Sequence, residues 1–185
     1  MSSTNLIIAV IAILLIMGVI MAVGFSRRQS TKKLQNKFGP EYDRTVENAG
    51  DAKKAQAELL ERQKRVDSLN IHPLSESERA RYLAEWTAVQ AKFVDQPGQA
   101  TVEADHLIMN VMQARAYPVS DFEQRAADIS VSYPELVTNY RAARKIALKN
   151  EQHQADTEEL RQAFIYYRSL FAELLKTEDV VPEKM

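Results

Sequence analysis

The sequence predicts an all-α protein, in which a single N-terminal transmembrane helix is followed by a compact bundle of about five to six helices. Three observations predict it. Leu6 to Phe25 is an uninterrupted uncharged stretch dominated by Leu, Ile, Val, Met and Ala, and its helical length of about 30 Å matches a bilayer hydrocarbon core. Beyond that stretch only Gly39, Gly50 and Gly98 remain, in a chain rich in the helix-favouring residues Ala, Glu, Gln, Lys, Arg and Leu. Apolar residues there recur at three- and four-residue spacing, the period of one helix face.

The expected organisation is an anchor (1–25), a basic juxtamembrane collar (26–37), a helical soluble domain (38–175) and a flexible tail (176–185). No basic residue precedes the apolar stretch, whereas Arg27, Arg28, Lys32, Lys33 and Lys37 follow it closely. That asymmetry keeps the following flank in the cytoplasm and puts the N-terminus outside. Export after cleavage is the alternative, because Ala22-Val23-Gly24 resembles a small-x-small site. Met1 to Asn5 lacks the basic residues of a signal peptide, however, and the apolar stretch is longer than a usual signal core. The collar sets topology beside the lipid bilayer, and anionic lipid headgroups are a further possible partner for it.

All 25 acidic residues but only 19 of the 24 Lys and Arg lie beyond the collar, which gives 38–185 a net charge of about −6. An acidic body is poorly suited to nucleic acid. The chain has no cysteine, which removes disulfides, thiolate metal sites and a Cys nucleophile. Three scattered glycines cannot build a phosphate loop or a dinucleotide fingerprint.

The elements follow in order. Gly39-Pro40 breaks the first helix and places Pro40 in the first turn of a short helix, about Glu41 to Glu47, which Gly50 ends. Asp51 caps a helix running to about Leu69. Its Ala52, Ala55, Leu59, Val66 and Leu69 approach a heptad seam, but Arg62 falls where an apolar residue should complete it, so a self-associating coiled coil is only weakly indicated beside a solvated, charged helix. Ser75 with Glu78 forms a capping box ahead of Leu83, Trp86, Val89 and Phe93. Gln96-Pro97-Gly98 turns the chain into a stripe of Ala104, Leu107, Ile108, Val111 and Met112, where Met109 and Met112 read as core filler rather than as a binding groove. After Tyr117-Pro118, Ser120 with Glu123 opens a short helix to about Asp128. Ser132 with Glu135 opens another, with Pro134 in its first turn and Leu136, Val137, Tyr140, Ala143, Ile146 and Ala147 facing inward. Asp156 with Glu159 opens the last helix, where Leu160, Phe164, Tyr167, Leu170, Phe171 and Leu174 form the strongest stripe.

Candidate chemistry is sparse. Glu103 and His106 have the three-residue spacing of a diiron carboxylate motif, but neither His72 nor His153 supplies the second copy such a site needs, and His106 reads as a surface residue. Asp121 and Asp128 lie seven residues apart on one helical face with Arg125 between them, which reads as a salt-bridge ladder rather than an acid/base pair. Tyr166 and Arg168 flank a buried Tyr167 and offer thin support for phosphate or base binding, and no Gly-x-Ser-x-Gly elbow is present.

Phe38-Gly39-Pro40-Glu41-Tyr42-Asp43, Asp121-Phe122-Glu123-Gln124-Arg125-Ala126-Ala127-Asp128, and Arg161-Gln162-Ala163 with Tyr167-Arg168 and Phe171 together resemble an uncharacterised family of bacterial proteins. Its members share one N-terminal transmembrane helix, a basic collar and a helical soluble domain. The resemblance implies the architecture, a bacterial origin and hence an inner (plasma) membrane location, and no activity, cofactor or partner.

The sequence therefore predicts no enzyme, no cofactor and no metal site. It predicts a protein-interaction or scaffold module held at the inner membrane, binding an unknown protein partner through the Asp51 to Leu69 helix and through Asp121, Glu123, Arg125 and Asp128. An enzyme or small-molecule binder with a pocket between helices, and a structural homo-oligomer, are the alternatives.

Overall fold

The computed structural model describes Met17, Gly18, Met21, residues 28–118 and residues 121–176. Every regular element among them is helical, and there are eight helices rather than five to six. They are α1 (28–38), α2 (Pro40–Ala49), α3 (Ala52–Asp67), α4 (Glu76–Lys92), α5 (Pro97–Ala114), α6 (Phe122–Ser132), α7 (Pro134–Glu151) and α8 (Thr157–Leu174).

The expected localisation is corrected. No helix among the described residues is long and apolar enough to cross a membrane, which overturns the single-pass inner-membrane placement. The stretch Leu6 to Phe25 that carried that expectation lies outside the described residues except for Met17, Gly18 and Met21, as do Arg27 of the collar and 177–185 of the tail. What is described of the collar is amphipathic rather than a detached linker. Arg28, Lys32 and Lys33 of α1 are exposed and Lys37 is half-buried, while Leu34 and Phe38 are buried on the opposite side. Gln56 Nε2 of α3 donates to Thr31 Oγ1 (3.0 Å) and to Tyr42 Oη (3.1 Å), so α1 packs into the body.

Local signals account for most boundaries. Asp51 accepts from Lys54 N (2.8 Å), and complete capping boxes open α4 at Ser75/Glu78 and α8 at Asp156/Glu159. Gly50 ends α2 in the left-handed region at φ 66°. One expected cap gives way to a tertiary contact. α6 runs on to Ser132 because Ile129 and Val131 still have a core to enter, and Ser132 Oγ accepts from Tyr117 Oη (3.2 Å) rather than capping α7. Asp121 caps α6 by accepting from Gln124 N (3.0 Å), and Ser120 lies outside the described residues.

Two apolar clusters result. The larger joins α4, α5, α7 and α8 around Trp86, Ile108, Met112, Tyr140, Tyr167 and Phe171, and it contains every expected stripe residue of α5 and, except for Leu160, of α8. The smaller holds Leu34, Phe38, Tyr42, Leu59 and Val66 with Val131 of α6, and Ile71 packs against both clusters. On α4 the inward position expected of Leu83 belongs to Tyr82, whose hydroxyl donates to Asn110 O (3.2 Å), and Leu83 is left 46% exposed. On α3 the buried positions are Ala55, Leu59, Arg62 and Val66, while Ala52 of the expected seam is exposed and Leu69 half-buried, so the middle of the seam is consumed within one chain.

Arg115 is fully buried at the end of α5. It donates to Leu174 O at the end of α8 (2.8 Å), to Tyr133 Oη (2.9 Å) and to His72 O (3.3 Å), placing its charge at two helix C-termini where the backbone dipoles favour a cation.

Two residues beyond each of α5 and α7 stands a non-glycine residue with positive φ, Ala116 (66°) and His153 (58°). In each case the next amide bonds five residues back, Tyr117 N to Met112 O and Gln154 N to Lys149 O, the hydrogen bond of a Schellman turn. A Cβ in this region costs about 1–2 kcal/mol. Ala116→Gly is therefore expected to raise the unfolding free energy by about 1 kcal/mol in urea titrations; an unchanged or lowered midpoint would show that the turn is not strained.

Candidate functional site

The two clusters meet along a polar seam built around one carboxylate. Gly39, at φ 49°, turns the chain between α1 and α2, and Pro40 starts α2 so that Glu41 falls in its first turn and points inward, 1% exposed. Glu41 Oε1 accepts from Arg62 Nη1 of α3 (3.0 Å), Arg141 Nη2 of α7 (3.2 Å) and Arg44 Nη1 within α2 (3.3 Å). Removing a carboxylate from water costs several kcal/mol unless donors replace the lost solvation, which is the role of the three guanidinium groups.

The same arginines reach outward to a second layer of acids. Arg62 Nη2 donates to Glu58 Oε1 (2.6 Å), and its Nη1 also donates to Ser130 Oγ (3.1 Å). Arg141 Nη1 donates to Glu123 Oε2 (2.5 Å), with Arg44 Nη2 at 3.5 Å from the same oxygen. Glu58 and Glu123 are 54% and 67% exposed. They stand at the mouth of an open polar cleft of about 280 Å³ that Arg44, Asn48, Arg62, Asp121, Gln124 and Arg141 help to line.

The four residues expected to dock a partner divide between surface and interior. Asp121 and Glu123 are exposed at the cleft. Arg125 and Asp128 are buried, which corrects the expectation of a salt-bridge ladder on an exposed helix. The reason is that α6 is covered on both flanks, by α3 and by α7. Arg125 Nε donates to Tyr140 Oη (3.4 Å), and Asp128 pairs with Arg65 of α3 and accepts from Gln124 Nε2 (3.2 Å). Burial pushes the Asp128 carboxyl above the usual carboxylate range, against the opposing pull of Arg65, Gln124 and Arg62.

Other sequence candidates are dispersed. Glu103 accepts from Lys92 Nζ (2.6 and 2.8 Å) and from Gln99 Nε2 (3.0 Å), while His106 is exposed. His153 stands two residues beyond α7, and Asn150 Nδ2 donates to Gly98 O (3.1 Å). Among the described residues no three His, Asp or Glu side chains are grouped to hold a metal ion. Sequence reasoning did not single out Glu41 as a site or the buried Asp105, whose Oδ2 lies 3.5 Å from Arg144 Nη1. Burial raises the Asp105 carboxyl, and burial with the nearby Asp105 charge pushes the Tyr140 phenol up to about 12 and raises that of Tyr167. Asp105, Tyr140 and Tyr167 line neither the polar cleft nor the apolar groove between α4 and α8.

No family model matches the chain, and neither a curated protein nor a solved structure is significantly similar to it. The resemblance drawn from the 38–43, 121–128 and 161–171 segments therefore gains no independent support. Glu41 and Arg62 acquire their role from the geometry of this chain alone.

Two outcomes follow from the buried acids. Glu41→Gln leaves three guanidinium groups facing a neutral amide and should cost about 3–5 kcal/mol in urea unfolding; a cost below about 1 kcal/mol would show that the pairs do not hold α2, α3 and α7 together. For Asp105, a raised folded pKa means that the folded state binds the proton more tightly than the unfolded chain does. The ionised side chain thus subtracts from stability at neutral pH, and this deficit fades as pH falls through the raised folded value towards the ordinary one. Relative to Asp105→Asn, the wild type should gain stability on going from about pH 7 to about pH 4.5; a constant difference would contradict this.

Proposed function

We propose that the protein is a protein-interaction module that binds a basic surface of a partner through the face formed by α3 and α6. One observation carries this reading: the exposed carboxylates Glu58 and Glu123 are held by arginines that are themselves about nine-tenths buried. Ordinary surface acids lose side-chain entropy when a partner engages them. These two have already lost it to the fold, so a partner gains the contact at lower cost. Asp121, exposed beside them, extends the acidic face, and Arg125 and Asp128 support it from below.

The reading includes no catalytic step. Glu41 is paired with Arg62 and Arg141 within the seam, and Asp105, a second buried acid whose proton affinity burial raises, borders neither cleft. Self-assembly through α3 is disfavoured because the middle of its apolar seam is occupied internally.

A photo-cross-linking amino acid at exposed Asn48, on the rim of the cleft, tests the reading in the protein's native extract. A discrete partner should be captured, and capture should fall about tenfold, equivalent to roughly 1.4 kcal/mol, in Glu58→Gln/Glu123→Gln but not in the exposed control Glu76→Gln. No discrete product, or equal capture by both variants, would refute it.

A further inference from the structure

α4 and α8 approach each other through aromatic rings more than through their backbones. Trp86 stacks on Phe164 at 5.0 Å and on Phe171 at 4.6 Å, and Phe93 meets Phe164 at 4.8 Å. Alongside this stack the helices leave an open groove of about 270 Å³. Its surface is apolar, formed by Trp86, Phe171, Leu175 and the exposed Leu83. The charged residues that line it are all basic: Arg79 from α4, Arg168 from α8, and Lys176 just beyond α8, which also reaches Glu173 at 2.6 Å.

Three cations gather around this apolar floor with no acid among the residues that line it, in a chain whose 24 Lys and Arg nearly balance its 25 Asp and Glu. With the chain close to neutral overall, the charge that attracts an acidic partner is the local one at the rim of the groove. The floor accounts for the apolar half of a ligand and the rim for the charged half. We propose that the α4/α8 groove docks an apolar segment of a partner protein flanked by acidic residues, inserting apolar side chains against Trp86 and Leu83 while its acids meet Arg79 and Arg168. This is the helix-in-groove or short-segment mode of recognition, in which apolar anchors supply affinity and flanking charges select the partner. It rests on the protein-interaction reading but uses a face that shares no residue with the polar cleft.

The test uses the full chain and a fluorescein-labelled peptide with two leucines one helical turn apart between pairs of glutamates. Trp86, the only tryptophan, provides a second readout from the groove floor. Saturable anisotropy and a concentration-matched change in Trp86 emission are expected. Affinity should fall about tenfold in Leu83→Glu and in Arg168→Glu, both at exposed positions, and should fall similarly when lysines replace the peptide's glutamates. Absence of saturable binding, indifference to both substitutions, or equal affinity for the lysine-flanked peptide would overturn the proposal. So would binding that emerges only in a chain ending at Lys176, because residues 177–185 include Val180 and Val181 beside Glu178 and Asp179 and would then be the groove's own occupant. Glu58→Gln/Glu123→Gln should bind the peptide normally, so this proposal and the reading of the polar cleft fail separately.

Discussion

The carboxylate of Glu41 accepts hydrogen bonds from arginines on α2, α3 and α7, and the joining of the two apolar clusters depends on it. Apolar burial alone stabilises each cluster without fixing how one sits on the other, because the hydrophobic effect is non-directional. Charge-assisted hydrogen bonds are directional, and a buried acid with too few donors carries a large penalty. Packings that pull Arg62 or Arg141 away from Glu41 therefore carry a cost. Such a pin adds little to stability compared with a well-packed apolar replacement, and its contribution lies in favouring one arrangement.

The pin also organises the surface above it. Arg62 and Arg141 each use one nitrogen on Glu41 and another on an exposed acid, so the orientation of Glu58 and Glu123 is tied to the buried seam. Burial, specificity of packing and preorganisation of the acidic face are thus consequences of the same few contacts. Arg115 acts comparably at the end of α5, where backbone carbonyls and a tyrosine hydroxyl accept from a guanidinium that is fully buried.

The two proposed recognition faces differ in physical character. The α3/α6 face offers acids held in place above a polar cleft, suited to a basic surface. The α4/α8 groove offers an apolar floor under a basic rim, suited to the opposite chemistry. Under the two proposals, charge would separate the ligands, since whatever one face attracts the other repels.

Periodicity and caps made much of this fold readable from the sequence. The stripes of α5 and α8, the breaks at Gly39-Pro40 and Gly50, and the caps at Asp51, Ser75 and Asp156 are local, because a helix face or a capped turn is decided by residues three or four apart. The same reasoning failed where a residue's neighbours come from far along the chain. Arg62 reads as a defect in an apolar seam until Glu41 and Ser130 are brought against it, and its aliphatic stem then completes the packing. Asp121 and Asp128 look equivalent on one face of a helix, yet α3 and α7 close over one and leave the other in solvent. Tyr82 takes the inward place expected of Leu83, and its hydroxyl reaches Asn110 O on the neighbouring helix α5. Local hydrogen bonding and apolar period thus settled which segments are helical, while tertiary structure alone decided which charges are buried. The energy of a buried charge depends on partners that sequence spacing does not encode.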